Sequence, residues 1–112
     1  MTLVLGPLYS GKKAFACKLL HCDESELSHY AVWNVQERAA AAENLEQLAE
    51  ELAGYQVVIS TEVGGGVVPV DAEQRAAREA AGRLNCLLAQ RADTVVRVFY
   101  GQPLILKGSL PQ

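Results

Sequence analysis

The stretch TLVLGPLYSGKKAFACKLL, Thr2–Leu20, decides how the rest of the chain is read. TLVL (Thr2–Leu5) has the makeup of a short buried strand. GPLYSGKK (Gly6–Lys13) follows directly and fits the phosphate-binding pattern G-x-x-x-x-G-K-[ST] everywhere but its last position, where Lys13 stands in place of a hydroxyl residue. KKAFACKLL then sets Phe15, Leu19 and Leu20 at helical spacing. A glycine loop between a strand and a helix suits an anion, because successive backbone N–H groups and the helix N-terminus point into one concavity. Gly6 and Gly11 stand where the backbone takes special angles or comes close to a phosphate. Gly6, Ser10, Gly11, Lys12 and Lys13 are therefore the candidate nucleotide-binding residues, with Lys12 reaching the β- and γ-phosphates. In the pattern the final hydroxyl places Mg²⁺. The Lys13 ammonium has donors and no lone pair, so Mg²⁺ binding is expected to be weak or absent. The alternative is a glycine turn that merely links a strand to a helix.

Working outward, YAVWNV (Tyr30–Val35) and YQVVIS (Tyr55–Ser60) read as further strands, and the polar His21–His29 segment as a loop. From Gln36 to Ala53 the pattern is helical, with Leu45, Leu48, Ala49 and Leu52 on one face and Gly54 just past the end. Asn34 followed by Glu37 reads as an N-x-x-E helix cap, or else as a neutral, poor stand-in for a metal-holding carboxylate. Thr61–Val70 is glycine-rich. Asp71, with Gln74 three residues on, starts the longest helix, which buries Ala77, Ala80, Ala81, Leu84 and Leu88. DTVVRVFY (Asp93–Tyr100) is a fourth strand, and LILK (Leu104–Lys107) returns antiparallel at the edge. Alternating strands and helices predict a single α/β domain over residues 1–112: a P-loop NTPase-like, mostly parallel sheet with helices on both faces. Ligands in such sheets bind beyond the strands' carboxyl ends. Gly6–Lys13, the segment after Val35, and Thr61–Val70 all map there.

Composition bounds the partners. The chain has 112 residues, half of them apolar, and a formal net charge of -3. Unclustered bases and a negative balance argue against nucleic acid as partner. Three cysteines, Cys17, Cys22 and Cys86, form no C-x-x-C pair, so a reduced, cytoplasmic chain without a metal site is expected. MTLVLGPL is too short for the apolar part of a signal peptide, and no run approaches a membrane span.

The far half of the chain carries a resemblance. Glu62-Val63-Gly64, Val67-Val68-Pro69, Gly82-Arg83-Leu84-Asn85, Gly101-Gln102-Pro103-Leu104 and Leu106-Lys107 together resemble the bifunctional adenosylcobinamide kinase / adenosylcobinamide-phosphate guanylyltransferase family of cobalamin biosynthesis. The likeness rests on Val57–Gly108 and, with the first loop, covers roughly the first 20 residues and the last 55. It implies a nucleotide-dependent transferase that uses GTP or ATP, acts on a corrinoid, and assembles as a homotrimer. It also makes Glu62, at a strand's carboxyl end, the candidate catalytic carboxylate, as acceptor from the nucleotide or as base for a substrate hydroxyl. The departures lie in the first loop, with Pro7, Tyr9 and Lys13 at positions where the family has Gly, Arg and Ser, and in the middle of the chain. There the family's His-Arg-x-x-Arg motif with its GMP-accepting histidine has no counterpart. Only His21 and His29 occur, so no guanylylated residue is expected and guanylyl transfer is doubtful. The alternative function is a non-catalytic binding or oligomer-forming protein of the same fold.

Overall fold

The structure, a computed structural model, describes residues 1–62 and 71–110. Strand β1 (Thr2–Gly6) leads through the glycine loop into helix α1 (Lys12–Leu20). A single 3₁₀ turn (Leu27–His29) precedes strand β2 (Ala31–Val32). Helices α2 (Gln36–Ala39) and α3 (Leu45–Leu52) follow, then β3 (Val57–Thr61), α4 (Ala72–Arg91), β4 (Thr94–Phe99) and β5 (Gln102–Lys107). The five strands form one sheet in the order β2-β3-β1-β4-β5. The first four are parallel, and β5 pairs antiparallel with β4. The α/β P-loop-like architecture expected from the strand–helix alternation is the one observed.

Val and Ile dominate β3 and β4, which suits strands covered on both faces. On one face, Val4, Val57, Ile59, Val96 and Val98 pack under α1, with Ala16 as its contact residue. On the other, Leu3, Val58 and Val95 meet Ala39 of α2, Leu48 and Leu52 of α3, and Ala81, Leu84 and Leu88 of α4. Removing Leu3, Leu84 or Leu88 from water, each with no exposed surface, stabilises by roughly 1.5–3 kcal/mol apiece.

Three expectations are corrected. The Gln36–Ala53 pattern is two helices, not one. Asn44 takes an extended backbone conformation and its side chain accepts from the Gln47 N–H, so it starts α3 as an N-cap and interrupts the run. The second strand shrinks from Tyr30–Val35 to Ala31–Val32, because Asn34 turns into the left-handed region at φ 56°. That turn also removes the N-x-x-E cap. Val35 occupies the N-cap position of α2 without a side-chain bond, and the Glu37 N–H donates to the Asn34 backbone carbonyl. The Asp71 cap forms as read, accepting from the Gln74 N–H at 2.7 Å. The glycine-rich run from Val63 to Val70 lies outside the described residues.

Candidate functional site

The site lies at the carboxyl ends of β1 and β3, where Gly6 sits level with Thr61 in the parallel register. At Gly6 an added Cβ would lie 2.5 Å from the Val98 carbonyl oxygen and 2.6 Å from Ser10 Oγ, so only glycine fits. The loop climbs away and returns through Tyr9 (φ 60°) and Gly11 (φ 92°), both left-handed. Gly11 is the N-cap of α1, and its carbonyl accepts from the Phe15 N–H. The tip of the β4–β5 turn docks here. The Gly101 N–H donates to the Ser10 carbonyl at 2.8 Å, and a Cβ on Gly11 would press within 3.2 Å of Gly101.

Lys12 is the buried charge of the site, with 8% of its surface exposed. Its Nζ donates to the Pro7 carbonyl at 2.6 Å and, at 3.4 Å, to Ser10 Oγ. Burial pulls the ammonium below the ordinary lysine value, against the nearby Glu62 carboxylate, which favours the charged form. Beside it opens a cavity of about 470 Å³ lined by residues that include Gly11, Lys12, Lys13, Trp33, Asn34 and Thr61. Lys13 turns sideways: its Nζ lies 4.4 Å from the centroid of the Trp33 ring. The left-handed turn at Asn34 follows directly on Trp33 and places both residues in the cavity wall.

Glu62 lies one residue beyond β3, its backbone N–H donating to the Gly6 carbonyl. Its side chain does not line this cavity. Arg97 of β4 donates from Nε to both carboxylate oxygens, at 2.6 and 2.9 Å, and stacks 4.3 Å over the Phe99 ring. Arg97 is level with Leu5, so the pair reaches across the central strand β1 just below the loop. The carboxylate pushes the guanidinium further above its ordinary value. Two more polar contacts finish this edge. Ser60 Oγ donates to Asn85 Oδ1 at 2.6 Å, and the Thr61 N–H, which the short β2 leaves without a strand partner, donates to Gln36 Oε1 at 2.9 Å.

The structure thus gathers Ser10, Gly11, Lys12 and Lys13 around one cavity, with Gly6 at the foot of the loop and outside the lining, and keeps Glu62 apart in an ion pair. Trp33 and Arg97 were not singled out by the sequence reading, Thr61 entered it only as the start of the glycine-rich stretch, and Gly101 only within the motif that carries the resemblance. Arg97 had a signal, being the one charge inside the apolar run TVVRVFY. His21 caps the end of α1 and His29 ends the 3₁₀ turn; neither lines the cavity.

A P-loop-like fold implies Mg²⁺ beside the phosphates, and the residues present do not fit it. The position that needs an oxygen ligand carries the Lys13 ammonium. Asn34 offers only a neutral amide. Both oxygens of Glu62 are engaged by Arg97. Among the described residues no group of three or more His, Cys, Asp or Glu side chains is placed to hold a metal ion.

A mostly parallel α/β sheet with a glycine loop at the end of its central strand defines a P-loop-like nucleotide-binding protein. The sequence profile of the cobinamide kinase / cobinamide phosphate guanyltransferase family matches residues 27–106, and the chain belongs to that family. Membership assigns it to the nucleotide-binding proteins of cobalamin biosynthesis. No curated protein sequence matches the chain at a significant level. Among the described residues, no helix is long and apolar enough to cross a membrane.

Proposed function

We propose that the chain binds ATP or GTP at Gly6–Lys13 and acts on a corrinoid as a kinase-type transferase, without guanylyl transfer. The observation that carries this reading is the buried Lys12 ammonium beside an open cavity at the N-terminus of α1. It is held by loop acceptors that a phosphate would replace. Glu62, with Gly6, Ser10, Gly11, Lys12 and Lys13, completes the proposed site. A base role for Glu62 requires that its carboxylate leave Arg97, since both of its oxygens accept from the guanidinium Nε. Calorimetric titration with ATP and GTP tests the binding, and transfer of labelled γ-phosphate to cobinamide tests the chemistry. Absence of binding by either nucleotide overturns the proposal. Incubation with labelled GTP followed by intact-mass measurement tests the missing guanylyl step, and a GMP adduct on His21 or His29 would refute it.

A second reading, a non-catalytic, oligomer-forming subunit of the same fold, draws on the sheet edge. All six residues of β5 are exposed, among them Leu104, Ile105 and Leu106. An apolar edge strand with unpaired backbone groups invites cover by another chain. We expect a homotrimer on either reading. A monomer mass by light scattering at micromolar concentration would refute it, and γ-phosphate transfer to cobinamide separates the enzyme from the non-catalytic subunit.

A further inference from the structure

We infer that this cradle takes its nucleotide as the metal-free polyphosphate anion, with Lys13, seated over Trp33, supplying positive charge where an ion would otherwise stand. The inference rests on the proposed nucleotide binding at Gly6–Lys13 and goes beyond it by assigning the protonic and metal state of the ligand.

The argument starts from donors and acceptors. Holding Mg²⁺ beside a phosphate takes oxygen ligands from the protein or from water that the protein orients. The residue after Lys12 lies in the first turn of α1 and lines the cavity, and here it is an ammonium: three donors, no lone pair, and a like charge to the ion. Two cations, Lys12 and Lys13, therefore line one wall of the same cavity. They cannot both face a divalent cation without repulsion, but both suit a triphosphate that has lost its metal and carries its full negative charge.

Trp33 fixes where the second cation is kept. The electron-rich face of the indole attracts an ammonium at the observed 4.4 Å, which holds the long lysine chain against the cavity wall rather than leaving it to wander in solvent. The seat depends on the short β2 and the left-handed Asn34, which end the strand early and turn Trp33 toward α1. Among the described residues the one acidic side chain in the cavity wall is Glu24, exposed on the segment after α1, and no group of three or more His, Cys, Asp or Glu side chains is placed to hold an ion. On the opposite side of β1, Glu62 is neutralised by Arg97.

The position of the lysine also supplies the readout. Trp33 is the single tryptophan of the chain, so its fluorescence reports the site. As Lys13 leaves the ring for a phosphate, the emission changes. The test titrates the wild-type protein with ATP and GTP, once in excess EDTA and once in excess Mg²⁺, by tryptophan emission and by calorimetry in parallel. The expected result is binding in EDTA at least as tight as in Mg²⁺. Lys13→Ser should reverse the order, losing on the order of tenfold in EDTA and gaining affinity on addition of Mg²⁺. Lys13→Met, which keeps the stem over the indole without the charge, should lose the EDTA affinity and gain nothing from the ion. Lys13 is part-exposed on the first turn of α1, and circular dichroism checks that both variants fold. Binding by the wild type only in Mg²⁺ would overturn this inference and leave the nucleotide site standing. Absence of binding in both media would overturn both.

Discussion

At the carboxyl edge of the sheet, the face under α1 and the face under α4 treat charge in opposite ways. On the α1 face, Lys12 and Lys13 border an open cavity and their partners are weak or replaceable: a loop carbonyl, a hydroxyl, an indole ring. On the α4 face, Glu62 and Arg97 neutralise each other, and Ser60 and Asn85 satisfy each other. Strand alternation produces the split. Successive residues point to opposite faces, so Thr61 and Glu62 part company at the end of β3. Positive charge on one side is thus available to a ligand, while the charges on the other side mainly tie β3 to β4 across β1.

The largest effect that tests this contrast is expected at Lys12. Lys12→Met should weaken nucleotide binding by about two orders of magnitude, roughly 2.7 kcal/mol, as befits the loss of charge-assisted bonds to phosphate. Arg97→Met should leave that affinity within about threefold, because the guanidinium serves the other face. The opposite ranking by calorimetry would mean that the nucleotide sits against Glu62 and Arg97, and the comparison would fail. Next comes the base of the loop. Gly6→Ala should cost roughly 1–3 kcal/mol in urea melts, since the new methyl meets the backbone of β4. An unchanged midpoint would show that the loop and β4 are less tightly joined than described.

Asn85→Ala sharpens the α4 side. It leaves the fully buried Ser60 hydroxyl without its partner and should destabilise by about 1–2 kcal/mol, with nucleotide affinity unaltered. The smallest effect is in pH. Burial holds Lys12 below the ordinary value of 10.5. In the window between its folded value and 10.5 the unfolded chain binds the extra proton, so folding stability rises with pH there, while nucleotide affinity falls as the charge is lost. Both trends should vanish in Lys12→Met, as alkaline urea melts and titrations would show. Their persistence would assign the titration to another group.

Much of this molecule is legible in its sequence. The strand–loop–helix start, the α/β alternation and the edge strand Leu104–Lys107 follow from apolar period and glycine placement, and the Asp71 cap from a side chain acting on its own neighbours. The Asn44 cap is equally local, yet four alanines before it extend the helical pattern and conceal the break. Gly54 shows the limit of residue statistics: it follows α3 as expected, but without the positive φ that usually selects glycine there.

Residue type and short-range spacing suffice to place a glycine loop between the first strand and helix, to show that the Lys13 ammonium offers a metal no lone pair, and to predict mostly parallel strands. Folding in three dimensions is what seats Lys13 on Trp33, brings Arg97 to Glu62 across β1, and sets Gly101 against Ser10. Those contacts join residues 20 to 91 positions apart in the chain, and strand order and register, not local pattern, bring such residues together.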